Sequence, residues 1–239
     1  MPGTALITGA SRRIGRALAI HLAQQGWNIA IHYHTSVDEA TVFCKELSDC
    51  FPAQLFEVFK ADLSQVSELE LLIGRVLNRM GTFELLINNA SVFEPSAFKQ
   101  TSTELLERQW NVNFRAPFVL MRDYSRLVKT GAIVNLVDPR IVTNRTDFAA
   151  YTLSKKALWE STKMAAVEFA PHIRVNAIAP GLALPPEGKN EDYLWKRAAT
   201  IPMKQPGGVE PILKSLDYIL NNVYLTGQLL FCDGGENLI

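Results

Sequence analysis

The chain has 239 residues, 48% of them hydrophobic, so it is long enough to bury one large core in a single domain covering residues 1–239. Its 24 basic and 24 acidic residues give a formal net charge of +0, which provides no global field to attract nucleic acid or an anionic membrane. We therefore expect neither nucleic acid nor a membrane among its partners.

Short apolar runs alternate with segments of helical periodicity along the chain. The apolar runs are continuous, which is typical of strands covered on both faces. Their order predicts an α/β, doubly wound Rossmann-like fold with a central, mostly parallel seven-stranded sheet, helices on both faces and ligands at the carboxyl ends of the strands. The predicted strands are residues 5–7, 28–31, 55–59, 85–87, 132–137, 174–178 and 229–231, and the clearest helices are 14–26, 66–80, 104–128 and 151–170.

Proline and glycine concentrate at residues 179–188 and again at 202–208. Because regular elements resume afterwards, we interpret residues 182–208 as a flap over a site and not as a domain linker. Residues 182–187 should line the substrate side, and a short helix with Tyr193, Leu194 and Trp195 should close over it. Simple packing roles for Tyr193 and Trp195 are an equally open interpretation.

Residues 8–15, the first turn, follow the first strand and open the first helix. A dinucleotide pyrophosphate binds at this position on free backbone N–H groups. Gly9 lets the chain turn sharply, Gly15 lets the helix approach the sheet closely, and Ile14 lies between them. The pattern is weak alone, but its place between strand and helix indicates a cofactor site.

The second strand ends in His32, Tyr33, His34, Thr35 and Ser36, where an NAD-binding protein usually presents Asp or Glu to the ribose. No carboxylate is present there. The imidazoles, Ser36 and Arg13 can instead donate hydrogen bonds to a 2′-phosphate, which favours NADP, supplied as NADPH, over NAD. The alternative for the two histidines is a strand end that meets solvent.

Tyr151 and Lys155 are four residues apart at the start of a predicted helix and therefore project from one face. A lysine ammonium near a phenol stabilises the phenolate and lowers the tyrosine pKa from its reference of ~10. Tyr151 would then exchange a proton with substrate while Lys155 holds the nicotinamide ribose. The spacing alone is common on helix surfaces, so the assignment depends on neighbouring motifs.

From Thr4 to Gly235 the chain resembles the short-chain dehydrogenase/reductase family in the order and spacing of its motifs. The resemblance implies that Asp62 and Leu63 border adenine. Asn89 and Ala90 would line the cofactor, and Asn113 would support a proton-relay water. The matching motifs are the first turn, Asp62 with Leu63, Asn88 to Ala90, Asn113, Tyr151 with Lys155, Pro180 with Gly181 and Leu182 at the cofactor, and Asp233 to Gly235.

Two departures from the family pattern narrow the resemblance. Arg13 replaces the usual third glycine, and Asp138 replaces the usual catalytic serine thirteen residues before Tyr151. Both departures are similar to those of pteridine reductases and bacterial dihydromonapterin reductases. That likeness implies that Phe93 stacks on a pterin and that Ser91 contacts ligand. The arginine expected at Thr35 is missing, which should weaken the binding of the cofactor phosphate but not abolish it.

Asp138 also has a chemical consequence. An ionised carboxylate beside Tyr151 disfavours the phenolate and accepts a hydrogen bond from the phenol. A proton-donating tyrosine suits reduction of a C=N bond better than alcohol oxidation. This agrees with the reduction of a dihydropterin that the resemblance implies, and it leaves open whether dihydrofolate is also reduced. The structural alternative is that Asp138 only caps the turn before Pro139.

Two other functions stay open at this point. A general NADPH-dependent carbonyl reductase, acting for example on a 3-oxoacyl thioester, shares the cofactor residues but is disfavoured by Asp138 and Phe93. A non-catalytic NADP-sensing module is disfavoured by Asn113, Tyr151 and Lys155. The resemblance implies a homotetramer, with helices 104–128 and 151–170 as interfaces, although their apolar faces are equally consistent with core.

Cysteine and histidine spacing indicates neither disulfides nor metal. Cys44, Cys50 and Cys232 have no disulfide-framework or zinc spacing, and the four histidines form no metal motif. Residues 1–4 lead into the first strand with no signal-peptide pattern, and no apolar run approaches the ~20 residues that span a bilayer. The sequence therefore predicts a soluble, cytoplasmic protein without a metal site.

Overall fold

A computed structural model describes residues 3–81, 83–186 and 188–239 of the chain. The described residues form seven strands and eight α-helices, with one or two helices between successive strands. The strands are β1 (Thr4–Ile7), β2 (Asn28–Tyr33), β3 (Phe56–Lys60), β4 (Leu85–Asn88), β5 (Gly131–Leu136), β6 (Ile173–Pro180) and β7 (Leu229–Cys232). The helices are α1 (Arg13–Gln24), α2 (Val37–Cys50), α3 (Val66–Met80), α4 (Thr103–Trp110), α5 (Ala116–Leu127), α6 (Ala149–Phe169), α7 (Glu191–Ala198) and α8 (Glu210–Asn221).

The strands form one sheet in the order β3-β2-β1-β4-β5-β6-β7, and each neighbouring pair is parallel. The predicted Rossmann-like fold is thus confirmed. The strand order reverses between β1 and β4, so the crossovers on either side of this point diverge and leave a crevice at the carboxyl ends of the strands. The candidate site lies in this crevice.

The sheet is buried on both faces. Leu6 packs with the α3, α5 and α6 layer, whereas its neighbours Ala5 and Ile7 pack with the α1, α2 and α8 layer. Side chains of a strand point alternately to opposite faces, so a strand covered on both faces needs apolar residues at every position. This burial explains the continuous apolar runs of the sequence.

The segment predicted as one helix, 104–128, is divided in the structure. Between α4 and α5 the chain makes a π-helical turn over Asn111–Arg115, and Pro117 stands in the first turn of α5. Because proline has no N–H to donate, a widened turn loses little at this place. The turn carries Asn113, whose side chain is buried.

The predicted flap contains α7, which carries Tyr193, Leu194 and Trp195 as expected. Leu194 is buried, whereas Trp195 is exposed. Glu187, which was predicted to belong to the flap lining, and Met1 of the predicted start lie outside the described residues. In the part of the chain that the structure describes, no helix is both long enough and apolar enough to cross a membrane.

Candidate active site

The first turn forms one wall of a cavity of about 530 Å³ at the carboxyl ends of β1, β2 and β4. Gly9 has φ +65°, which favours glycine, and a Cβ on Gly15 would lie 2.2 Å from the Gly9 carbonyl oxygen. Both glycines are therefore required for this close packing of turn and helix. The turn presents the N-terminus of α1 to the cavity, which is the geometry that binds a pyrophosphate.

Most residues predicted to bind the cofactor line this cavity. The cavity is also lined by Ser11 and Arg12 of the first turn, which were not predicted to bind the cofactor. The other additions, Val92 and Val112, carry no chemical signal in the sequence. The predicted lining residues are Gly9, Arg13, Ile14, Gly15, His32, Tyr33, His34, Thr35, Ser36, Asp62, Leu63, Asn89, Ala90, Ser91, Phe93 and Tyr151.

His32 differs from its predicted role as a donor to a 2′-phosphate. Its side chain is buried, Nδ1 lies 3.0 Å from the Gly9 backbone nitrogen that donates to it, and Nε2 lies 3.0 Å from the Ala61 carbonyl oxygen. Burial lowers the His32 pKa to about 4, so the ring is neutral. His32 therefore supports the first turn. His34 is exposed, with Nε2 3.6 Å from an Asp62 carboxylate oxygen at the cavity wall.

Arg13 has an unusual backbone conformation and an unexpected partner. Its φ is +53°, in the left-handed region that favours glycine, which is the residue that the family pattern has here. The guanidinium donates to the Pro185 carbonyl oxygen at 2.8 Å. Arg13 thus joins the first turn to the flap.

A second cavity of about 250 Å³ adjoins the first. It is lined by the predicted residues Asp138, Lys155, Pro180, Gly181 and Leu182, and by Tyr193 of the flap helix. Ile14, Asn89, Ser91, Phe93 and Tyr151 line both cavities and mark where the two meet. A dinucleotide in the larger cavity and a substrate in the smaller one would therefore come together beside Tyr151.

Asp138 and Tyr151 form the centre of this junction. The Tyr151 hydroxyl donates to Asp138 Oδ2 at 3.0 Å, and the Arg140 backbone N–H donates to Asp138 Oδ1 at 2.8 Å. Asp138 therefore both caps its turn and pairs with the phenol. Burial and the Asp138 carboxylate raise the Tyr151 pKa well above its usual value, so the hydroxyl holds its proton.

Lys155 is buried below Tyr151. Its Nζ donates to the Leu136 carbonyl oxygen at 2.8 Å and lies 5.8 Å from the centre of the Tyr151 ring. Burial lowers the Lys155 pKa to about 8, against the opposing attraction of Asp138. Burial and Asp138 decide the direction of the Tyr151 pKa shift, which is upward, so the neutral phenol is favoured over the phenolate.

Asn113 lines neither cavity but connects the elements around them. Its Oδ1 accepts from the Ser91 hydroxyl at 3.1 Å and from the Val92 N–H at 2.8 Å, while Nδ2 donates to Ser154 Oγ at 3.2 Å. The amide fixes the segment after β4 against α6. The predicted support of a relay water stays a prediction.

Phe93 forms an aromatic and cationic cluster with Tyr151, which was predicted, and with Phe148 and Arg140, which were not. Its ring stacks on Phe148 with centroids 4.5 Å apart, and the edge of Tyr151 lies against it at 4.7 Å. The Arg140 guanidinium lies 4.9 Å from the Phe148 centroid and 5.4 Å from that of Phe93. Phe93 is 46% exposed, so part of the ring is available to a planar ligand.

Arg140, Arg197 and Glu236 complete the wall of the smaller cavity, and none of them was predicted. Arg140 follows Asp138 by two residues and lies shortly after the end of β5, so its place near the site could have been predicted from the strand end. Arg197 on α7 and Glu236 near the chain end lie far apart in sequence, and no spacing joins them.

Comparisons with known proteins give consistent matches. A family model described as short chain dehydrogenase matches residues 3–192. The structure of FolM alternative dihydrofolate reductase 1 from Brucella suis in complex with NADP is similar with a TM-score of 0.93 at 33% identity, covering 99% of this chain and 95% of that chain. The Brucella canis protein of that name, also complexed with NADP, has a TM-score of 0.90 at 33% identity, covering 100% and 95%. The 3-oxoacyl-(acyl-carrier-protein) reductase FabG of Staphylococcus epidermidis is 28% identical over 245 residues, 98% of this chain and 99% of that protein.

Proposed function

Because the chain belongs to the short-chain dehydrogenase/reductase family, we propose that it is an NADPH-dependent reductase of a dihydropterin, of the dihydromonapterin or dihydrobiopterin type. The observation that carries the proposal is the hydrogen bond from Tyr151 to Asp138. As a member of this family the chain is an oxidoreductase, and its cofactor is NADP, which both Brucella structures contain. The larger cavity fits this cofactor through the glycine-dependent first turn and the absence of a carboxylate among residues 32–36.

When bound, NADPH supplies a hydride to carbon, and the reduced C=N bond then needs a proton on nitrogen. Tyr151 Oη supplies that proton in the proposed mechanism, because burial and Asp138 keep the hydroxyl protonated. Asp138 orients the hydroxyl through its hydrogen bond, and Lys155 provides positive charge beneath the ring. Phe93 offers a flat apolar surface to the heterocycle, and Ser91 a hydroxyl.

A general carbonyl reductase is the second candidate. The match to a 3-oxoacyl-(acyl-carrier-protein) reductase over 98% of the chain favours it. The aromatic cluster and Asp138 weigh against it, since ketone reduction needs neither. A non-catalytic sensing module accounts least well for a buried tyrosine that is held protonated between two cavities.

Initial rates with a substrate panel test the proposal. NADPH and NADH are each combined with dihydromonapterin, dihydrobiopterin, dihydrofolate and a set of ketones that includes a 3-oxoacyl thioester. We expect turnover of the dihydropterins with NADPH in preference to NADH. Ketone turnover without pterin turnover would establish the carbonyl reductase instead, and tight NADP binding with no turnover would indicate the sensing module.

The proposed assembly is a homotetramer. Trp110 of α4, Phe114 of the π-helical turn and Phe118 of α5 form a continuous stripe, with successive ring centroids 4.6 and 6.0 Å apart. On α6, Met164 and Val167 are 70% and 82% exposed. Apolar surface of this kind is typical of an interface. The predicted cytoplasmic location stays a prediction.

A further inference from the structure

The smaller cavity has a charged wall that the cofactor cavity does not share. Two guanidinium groups and two carboxylates form it: Asp138, Arg140, Arg197 and Glu236. The residues common to both cavities mark where hydride and proton transfer would occur. Arg197 and Glu236 line the smaller cavity but not the cofactor cavity, so they face a part of the substrate that lies outside the junction with the cofactor.

The four charges of this wall form two pairs. Arg140 Nη1 lies 3.4 Å from each oxygen of Asp138, and Arg197 Nη2 donates to Glu236 Oε1 at 3.4 Å. Each guanidinium is matched by one carboxylate. A substrate anion would thus meet guanidinium groups that are already paired, with a carboxylate beside each of them.

The position of Glu236 is fixed by the turn that precedes it. The Asp233 carboxylate accepts from the Gly235 N–H at 3.0 Å and from the Asn237 N–H at 2.7 Å, which holds the backbone on both sides of Glu236. The Glu236 side chain is only 18% exposed. The turn therefore places Glu236 at the cavity wall, and the hydrogen bond from Arg197 orients its carboxylate there.

We propose that Glu236 determines specificity by favouring substrates whose substituent is neutral and hydroxyl-bearing over substrates with an anionic tail. A hydroxyl donates to the Glu236 carboxylate, whereas a substrate carboxylate at the same place is repelled. Arg197 moderates this repulsion because it is paired with Glu236. The pterin as ligand rests on the proposed function, whereas the direction of the discrimination rests on the Glu236 carboxylate at the wall of the smaller cavity.

Binding of two pterins that differ in charge at one position tests the inference. The NADP complex of the full chain is titrated with 6-hydroxymethylpterin and with pterin-6-carboxylate, and the ratio of the two Kd values is compared between wild type, Glu236→Gln and Arg197→Gln. We expect Glu236→Gln to shift the ratio about tenfold in favour of the carboxylate. Arg197→Gln, which leaves Glu236 unpaired, should shift it in the opposite direction.

Opposite shifts separate charge selection from loss of structure, because a distorted cavity would change both variants in the same direction. Glu70→Gln is the matched control, since it removes the carboxylate of the Arg122 pair on the surface between α3 and α5. An unchanged ratio in Glu236→Gln, or equal shifts in both cavity variants, overturns the inference. If wild type binds neither pterin, the proposed function fails. The preference between an anionic and a neutral ligand is then measured with acetoacetate and its ethyl ester as substrates.

Discussion

Asp138 raises the pKa of two neighbouring side chains, and it thereby favours a neutral group in one case and a charged group in the other. Its negative charge raises the pKa of Tyr151, for which burial has the larger effect, and keeps a neutral phenol. The same charge raises the pKa of Lys155, which burial lowers to about 8, and so favours the charged ammonium. One carboxylate thus maintains a proton on both groups near neutral pH, and this is the state that a reductive proton donor needs.

Replacing Asp138 by Asn is expected to lower kcat/KM for the dihydropterin about a hundredfold at pH 7, the lower end of what general acid–base catalysis contributes. In wild type, kcat/KM should fall as pH rises through about 8, where Lys155 loses its proton. In Asp138→Asn the fall should begin at lower pH, because the attraction that retains the lysine proton is gone. Profiles of kcat/KM between pH 6 and 9.5 measure both.

Asp217→Asn is the control for this substitution, since Asp217 contacts His21 on the surface between α8 and α1. It should leave the profile unchanged. A profile of Asp138→Asn that is merely lower, with the same alkaline limb, would mean that Asp138 does not act on Lys155.

At the scale of elements, His32 joins three strand ends. It stands on β2, accepts from Gly9 after β1 and contacts Ala61 after β3. Its position at the end of a strand could be predicted from the sequence, but the sequence does not distinguish a histidine that faces a ligand from one that faces the first turn. Likewise, the helical periodicity of 104–128 could be recognised in the sequence. The π-helical turn could not, because its residue Asn113 contacts Val92 and Ser154, which are distant in sequence.

His32 makes the fold sensitive to acid. The unfolded chain takes up a proton on this ring near pH 6.5, whereas the folded chain does so only near 4. The stability contributed by the neutral ring is therefore present above pH 6.5 and is lost as pH falls through 4. We expect the His32 contribution to the free energy of unfolding to fall by about 3 kcal/mol over this range.

Urea unfolding of wild type and His32→Gln between pH 7 and 4 measures this contribution. Glutamine can accept from Gly9 and donate to Ala61, but it has no proton to gain, so its stability should change less with pH. His34→Gln is the control because His34 is exposed two residues away. Equal slopes in wild type and His32→Gln would exclude His32 as the acid-sensitive group.

At the scale of the whole molecule, the topology was the most predictable feature and the charged wall the least. Buried parallel strands can be predicted from continuous apolar runs. The motifs at their carboxyl ends lie close together because all strands are parallel. Arg197 and Glu236 converge only through the path of the flap and the final turn. No local pattern of residues encodes that path.

The apolar stripe of Trp110, Phe114 and Phe118 is expected to be covered by another copy of the chain. Phe118→Lys places a charge in this stripe and should reduce a tetramer to a smaller assembly in analytical ultracentrifugation, because a lysine buried there would be desolvated. Val42→Lys on α2, on the opposite side of the sheet, is the control. A wild type that sediments as a monomer, or two variants that dissociate alike, would contradict this interface.

Arg13 has a left-handed backbone conformation at the position where the family pattern has glycine. Such a conformation is disfavoured for a non-glycine residue by on the order of 1 kcal/mol, so selection for folding alone would keep glycine there. Glycine has no side chain to reach the Pro185 carbonyl. The arginine therefore accepts a less favourable backbone conformation and gains a hydrogen bond that links the first turn to the flap.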